Sequence, residues 1–165
     1  MGKEIERKYL VNKAAWQEYK TEFSTTIQAY SSRYSQGYIP TGNGTTVRLR
    51  IIDDQGYITI KSQTVGITRS EYEYAIPYED AQEMLASLCS KPLIEKIRYK
   101  IEQDDLIWEV DEFRGDNAGL IIAEVELQDE QQQVTLPNWI EREVKSAKYF
   151  NSSLAKYPYS QWQDK

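Results

Sequence analysis

The sequence has 165 residues, of which 40% are hydrophobic and 28% charged, a composition typical of one globular domain and not of a disordered chain. Its net charge of −6 argues against a general nucleic-acid binder and against a protein that binds anionic membranes, although a local basic pocket remains compatible with it. The chain has no histidine and one cysteine, Cys89, which excludes an imidazole base, a cysteine or serine dyad with histidine, an intrachain disulfide and a cysteine-based zinc site.

The first predicted strand carries charges on alternate residues. Side chains in a strand alternate between two faces, so Glu4, Glu6 and Lys8 share one face while Ile5 and Tyr9 share the other. For this strand alone, a solvated polar face is the simpler interpretation. The rest of the chain reverses it, because the same pattern recurs in strand after strand.

Further along, alternating apolar residues predict seven more strands, mostly joined by tight turns, and a 3.6-residue period predicts three helices. Gly37 within the second strand indicates a bulge or a close approach of another segment. Residues 24–32 are polar and poorly patterned, and 129–165 are predicted to be mostly loop and short helix. The predicted strands span 3–11, 33–39, 45–52, 57–62, 69–76, 94–102, 106–113 and 120–127, and the predicted helices span 13–23, 79–89 and 151–157.

Six of these strands carry charged doublets or triplets at positions i and i+2. Eight antiparallel strands can close into a barrel, with the charges either pointing outward or lining a hydrated tunnel. Sorting into acidic and basic strands favours the tunnel, since random surface decoration would mix the two signs. We therefore predict a mainly β, α+β fold: one eight-stranded antiparallel tunnel with a charged interior and a few covering helices, over 1–165. The charged sets are Glu4/Glu6/Lys8, Arg48/Arg50, Glu71/Glu73, Lys96/Arg98, Glu109/Asp111 and Glu124/Glu126.

A lumen with both kinds of set has a chemical use. Arginine and lysine bind phosphate oxygens, and carboxylates hold Mg²⁺ or Mn²⁺, which bridges phosphates and lowers the pKa of a bound water. Because the sequence offers no histidine and no placed serine or cysteine nucleophile, metal-activated water is the only evident nucleophile.

The segment Glu4-Ile5-Glu6-Arg7-Lys8 resembles the N-terminal Glu-x-Glu-x-Lys signature of the CYTH superfamily, the triphosphate tunnel metalloenzymes. Eight further segments follow in the family's order, so the resemblance covers nearly the whole chain. It implies an eight-stranded tunnel that binds a triphosphate in its middle. These eight segments span 36–39, 47–50, 59–62, 69–73, 95–99, 109–113, 124–126 and 149–155.

The resemblance also implies roles for the charged residues. Lys96 is expected to protonate the leaving group or stabilise its charge, with Glu6 and Glu124 as further catalytic residues. Glu71 and Glu73 are expected either to orient basic side chains or to help hold metal. No role in closing the tunnel is assigned to Lys145 or Lys148, because that segment is shorter than is usual in the family. The implied metal ligands are Glu4, Glu6, Asp111, Glu124 and Glu126, and the implied substrate-binding residues are Lys8, Arg48, Arg50, Lys61, Arg69, Lys96 and Arg98.

Among the activities of this family, the short chain is most like the bacterial-type inorganic triphosphatases. The expected reaction is Mg²⁺- or Mn²⁺-dependent hydrolysis of tripolyphosphate to pyrophosphate and phosphate. Alternatives are a class IV-like adenylyl cyclase, a thiamine triphosphatase, a non-catalytic polyphosphate- or nucleotide-binding module, and an inert barrel with a charged exterior. We expect a cytoplasmic monomer or homodimer that binds a small-molecule triphosphate and neither nucleic acid nor membrane, since no signal peptide or apolar span is evident.

Overall fold

Antiparallel strands joined by short turns make up most of the structure, a computed structural model that describes residues 2–163. Among these residues, no helix has the length and apolar character needed to cross a membrane. The strands are β1 (Gly2–Val11), β2 (Ser31–Ile39), β3 (Thr46–Ile52), β4 (Gln55–Lys61), β5 (Thr68–Ile76), β6 (Ile94–Gln103), β7 (Leu106–Phe113), β8 (Ile121–Glu126) and β9 (Ile140–Val144). The α-helices are α1 (Lys13–Glu22), α2 (Ser24–Ala29), α3 (Tyr78–Ser87) and α4 (Asn151–Leu154).

Eight of the strands close into the predicted barrel, in the order β1-β5-β4-β3-β2-β6-β7-β8 and back to β1. The strand that closes the barrel, β1, pairs with β8 along one edge. Its other edge forks, since Gly2–Ile5 pair with β5 while Lys8–Val11 pair with β9. The first strand therefore has three partners, and it carries Glu4, Glu6 and Lys8 into the middle of the barrel wall.

Two elements were absent from the sequence-based prediction. The polar stretch after α1 forms the short helix α2, which the burial of Ile27 holds against the barrel. The ninth strand, β9, lies outside the closed barrel and has apolar residues only at its ends, Ile140 and Val144. Such short segments have too few apolar residues for a period to be recognised. The helix predicted over 151–157 ends three residues earlier, at Leu154.

The apolar core lies outside the barrel wall and not in its lumen. Trp16 of α1, Trp108 of β7 and Trp139 before β9 are at most 1% exposed and meet edge to face, with ring centroids 5.2 and 5.8 Å apart. Trp16 anchors helix α1 in this cluster, and the Asn12 side chain caps the start of the helix by accepting a hydrogen bond from the Ala15 amide. A second cluster packs the C-terminal segment onto the wall. The apolar strand faces thus point outward under helices, and the charged faces point inward.

Gly37 marks a close approach, one of the two possibilities that the sequence left open. A Cβ atom at this position would lie 2.7 Å from Leu93 Cδ2 and 2.9 Å from Cys89 Cβ. The segment that follows α3 therefore packs directly on the β2 backbone. At Gly42, in the β2–β3 turn, an added Cβ would meet nothing within 4 Å.

We expect Gly37→Ala to lower the free energy of unfolding by about 1–3 kcal/mol, because the added methyl forces the neighbouring segment away from the strand. The matched change Gly42→Ala is expected to stay within about 0.5 kcal/mol of the unmodified protein. Urea denaturation followed by tryptophan fluorescence measures both. Equal stability of the two variants would show that the segment after α3 can move away from β2 without a loss in the free energy of unfolding.

Candidate functional site

The barrel encloses a cavity of about 340 Å³ whose wall is almost entirely polar and charged. Six of the eight arginine and lysine residues that line it are buried; Lys96, for example, is 2% exposed. Strand alternation explains this, because each doublet at i and i+2 puts both side chains on the inward face. The predicted site residues that line the cavity are Glu4, Glu6, Lys8, Arg48, Arg50, Lys61, Arg69, Lys96, Arg98, Glu124 and Glu126.

Arginines from two strands form a fixed cationic surface around Tyr34. The guanidinium carbons of Arg50 and Arg98 lie 5.0 and 4.9 Å from its ring centroid, within cation–π range. Burial, followed by repulsion from Arg48 and Arg98, lowers the pKa of Arg50 to about 10. The carboxylate of Glu73 accepts hydrogen bonds from Arg50 (3.1 Å) and Arg48 (3.4 Å). Such crowding of cations favours an anionic ligand.

Asp111 stands behind this surface and not in the cavity wall. Its carboxylate accepts two hydrogen bonds from Arg98, of 2.7 and 2.8 Å, and one of 2.8 Å from Lys96 Nζ. The side chain is 1% exposed. Although burial opposes it, the charges of Arg98 and Lys96 hold the pKa of Asp111 below its usual value. Both carboxylate oxygens are thus engaged in positioning the two cations.

Lys96 is the most deeply buried cation of the cavity wall. Besides Asp111, its Nζ donates to Asn151 Oδ1 at 3.0 Å, and the rings of Tyr34 and Phe113 lie 5.6 and 5.5 Å away. Burial outweighs the attraction of Asp111 and lowers the pKa of Lys96 to about 7. An ammonium with this pKa holds and releases a proton close to neutral pH.

The carboxylates are concentrated where β1 meets β8. Lys8 is directly opposite Glu124, and Glu6 opposite Glu126. Lys8 Nζ lies 2.7 Å from Glu124 and 3.3 Å from Glu6. On the β5 side, Lys61 Nζ lies 2.9 Å from a Glu4 oxygen. An ammonium group thus lies among the acids on both sides of β1.

Crowding of these acids changes their protonation. Burial, then repulsion by Glu124, raises the pKa of Glu6 to about 8. Lys61 overcomes the burial of Glu4 and lowers its pKa to about 2. Glu6 therefore carries a proton at neutral pH that a cation among these carboxylates would replace. Burial and Glu4 also raise the pKa of Glu126.

The donor set fits a hard divalent cation, because carboxylate oxygens are the ligands that Mg²⁺ and Mn²⁺ take. Glu4, Glu6, Glu124 and Glu126 all line the cavity. In the described part of the chain, no three acids converge on one point as they stand. Lys8 between Glu6 and Glu124 explains this, so binding requires that the ammonium move to another anion.

Several wall residues were not singled out from the sequence. Tyr34 lies on the lumen face of β2 and contacts the arginines, and Gln36 on the same face is fully buried and donates to Tyr38 Oη at 3.0 Å. Phe150 and Asn151 enter from the C-terminal segment. Tyr34 and Gln36 alternate in step with the charged doublets, a signal that was available in the sequence. The inward turn of Phe150 depends on tertiary packing and has no local signal.

Of the two ambiguous acids, Glu73 orients arginines as described above. Glu71 lies 3.2 Å from Lys61 Nζ, and burial followed by interaction with Glu4 raises its pKa. Lys145 and Lys148 do not line the tunnel cavity. Lys148 Nζ instead sits 4.3 Å from the Trp162 ring, on the outside of the barrel.

A closed antiparallel barrel whose lumen combines buried arginines with facing carboxylates defines an anion-binding tunnel with a place for a metal. The chain matches the model of the CYTH domain over residues 2–156, and it belongs to that family.

The chain is 46% identical to an inorganic triphosphatase of Acetivibrio thermocellus, over 99% of this chain and the whole of the relative. It is 34% identical to an inorganic triphosphatase of Nitrosomonas europaea, over 92% of this chain and 96% of the relative. A crystal structure of an inorganic triphosphatase superposes with a TM-score of 0.61 at 29% identity, covering 94% of this chain and 95% of that one. The predicted family is confirmed.

A pH-dependent stability follows from Glu6. Its proton is bound more tightly in the folded protein, with a pKa of about 8 against an ordinary 4.5, so deprotonation between these pH values reduces stability. In EDTA, we compare the free energy of unfolding of Glu6→Gln with that of the unmodified protein. We expect this difference to shift in favour of Glu6→Gln by on the order of 2 kcal/mol as the pH is raised from 5 to 9. Urea denaturation across this range measures the difference. A difference that does not change with pH would contradict the raised pKa.

The role of Asp111 predicts a loss of stability on neutralisation. Asp111→Asn leaves Lys96 and Arg98 buried without their counter-charge, at an expected cost of about 3–5 kcal/mol. Glu109, which is more exposed and 3.3 Å from Arg98, is the control. We expect Glu109→Gln to cost less than about 1 kcal/mol. If both variants unfold at the same urea concentration, Asp111 does not anchor these cations.

Proposed function

We propose that this protein hydrolyses tripolyphosphate to pyrophosphate and phosphate inside its tunnel, with Mg²⁺ or Mn²⁺. The observation that carries the proposal is that one lumen combines a fixed surface of buried guanidinium groups with a set of carboxylates. The two relatives named inorganic triphosphatase, at 46% and 34% identity, point to the same substrate. The cavity of about 340 Å³ is of a size that suits a small ligand.

The cations of the lumen bind the substrate. Arginine forks match phosphate oxygens in pairs, and Arg48, Arg50 and Arg98 present theirs from neighbouring parts of the wall. Glu73 in the cavity wall and Asp111 behind it fix these side chains, so little ordering is left for the moment of binding. Lys8 and Lys61 exchange their carboxylate partners for phosphate oxygens. This exchange frees Glu4, Glu6 and Glu124.

Glu4, Glu6, Glu124 and Glu126 would hold the metal. The chemistry that such a metal would supply is withdrawal of charge from phosphate oxygens and a lowered pKa of a water molecule. We assign Asp111 to positioning Lys96 and Arg98 rather than to the metal, because both its oxygens already accept hydrogen bonds from these cations.

Lys96 assists departure of the leaving group. Its Nζ is directed by Asp111 and Asn151, and its pKa of about 7 suits transfer of a proton to the departing phosphate oxygen. Charge stabilisation by the same ammonium contributes without proton transfer. We propose that this reaction takes place in the cytoplasm, in a monomer or homodimer without nucleic-acid partners.

A direct test is phosphate release from tripolyphosphate, ATP and thiamine triphosphate, each with Mg²⁺, Mn²⁺ or EDTA. We expect the fastest release from tripolyphosphate, its loss in EDTA, and its loss in Glu6→Gln, since the carboxylates are needed for the metal. Cyclic AMP from ATP would favour a cyclase instead. Phosphate affinity without any turnover would favour a binding module.

The arginine surface has its own test. Arg50→Ala removes a buried phosphate ligand, and we expect kcat/KM for tripolyphosphate to fall about 100-fold or more. Arg33 is an exposed arginine on the outward face of β2, so Arg33→Ala is expected to leave kcat/KM within about twofold. Similar losses in the two variants would mean that global charge, not the lumen, governs activity.

A further inference from the structure

A second, larger cavity adjoins one end of the tunnel. This outer chamber has a volume of about 470 Å³ and lies between the β2–β3 turn, the β4–β5 loop and α4. It has no role in the proposed hydrolysis. The tunnel and the outer chamber share five wall residues, which we call the neck: Tyr38, Thr46, Arg69, Phe150 and Ser152.

The chemistry of the outer chamber differs from that of the tunnel. Its wall has two cations, Arg69 and Lys156, together with hydroxyl and amide side chains such as those of Thr41, Asn43 and Gln63. No described residue of this wall is an acid, whereas the tunnel wall has seven glutamates. A chamber whose charged side chains are all cations, and which adds neutral hydroxyl and amide groups to apolar wall residues, suits an anion that needs no metal.

Its cations are only weakly engaged. The ion pair of Arg69 is with Glu4, at 3.8 Å from Nε, and its guanidinium carbon lies 5.9 Å from the Phe150 ring. Lys156 is exposed. Arg69 thus stands at the neck, with its guanidinium group available to an anion on either side.

Phe150 is a large apolar side chain among the residues of the neck. It is half-buried and lies 5.8 Å from Lys8 Nζ. Tyr38 at the same neck is held by the Gln36 hydrogen bond, whereas a phenyl ring has no polar group with which to be held or to bind phosphate. Truncation of Phe150 would therefore widen the neck without removing a charged or hydrogen-bonding group.

We propose that the outer chamber is a phosphate subsite for polyphosphates longer than three units, and that Phe150 restricts access to it. A chain that fills the tunnel continues past Arg69, and its fourth phosphate meets Lys156 and the hydroxyl groups of the chamber. Phe150 in this position makes tripolyphosphate the preferred length. The inference rests on the proposed function where it is tested by the rate of hydrolysis. The affinity for polyphosphates tests it independently of catalysis.

The test compares tetrapolyphosphate with tripolyphosphate by kcat/KM and, in EDTA, by calorimetric affinity. In Phe150→Ala, we expect the tetra-to-tri ratio to rise about tenfold, which corresponds to one additional phosphate contact. Adding Lys156→Glu is expected to reverse most of this rise. Adding Lys13→Glu, the same charge change at an exposed helix position away from the chamber, is expected to retain it.

The outcomes separate the two proposals. If the unmodified protein does not hydrolyse tripolyphosphate, the proposed function fails, while the affinity ratio still tests the outer chamber. An unchanged ratio in folded Phe150→Ala overturns the neck, and a rise that survives Lys156→Glu overturns the phosphate subsite. If the alanine variant does not fold, Phe150→Leu replaces it. Phe23 is an exposed phenylalanine at the α1–α2 junction. The variant Phe23→Ala is the control for loss of a phenyl ring elsewhere in the protein.

Discussion

Charge pairing inside the barrel is the interaction on which the rest of the structure depends. Buried ions are costly unless each has a partner, and the lumen meets this demand by placing acids and bases on adjacent strands. Asp111 holds Lys96 and Arg98, Glu73 holds two arginines, and Lys8 lies between Glu6 and Glu124. The pairs are unequal, however. Asp111 is fully enclosed, whereas the partners of Lys8 and Lys61 line the open cavity.

This inequality divides the lumen into a permanent part and an exchangeable part. The permanent pairs set the direction of Lys96 and Arg98 before any ligand arrives. In the proposed reaction the exchangeable pairs give way to phosphate and metal charges, since the ammonium of Lys8 lies between two acids. Internal pairing of this kind keeps a strongly charged cavity folded without a hydrophobic centre. The tryptophan cluster on the outside supplies that packing instead.

Much of the fold and part of the site follow from alternation in the sequence. The eight barrel strands, the inward charged faces and the family were predictable, because a period of two is short enough to be read within each strand. Helix α2 and strand β9 were not, since each depends on contacts with β1 or β6 rather than on its own pattern. The placement of Asp111 behind the cavity wall was also not predictable. Alternation indicates which face of a strand a side chain lies on, but not how deeply it is buried there. The position of Phe150 in the tunnel was hidden too, because it depends on how the C-terminal segment packs against the barrel and has no local signal.

The fork in β1 has a consequence for the order of events during synthesis. The strand bearing Glu4, Glu6 and Lys8 is made before any of its three partners, and the last of them, β9, ends at Val144. Long-range pairing of this kind is slow and follows local structure. The hairpins from β3 to β5 and from β6 to β8 can form while β1 waits unpaired. Closure of the barrel and assembly of its carboxylates require β8, which carries Glu124 and Glu126, so a ribosome-bound chain that lacks β8 has no such site.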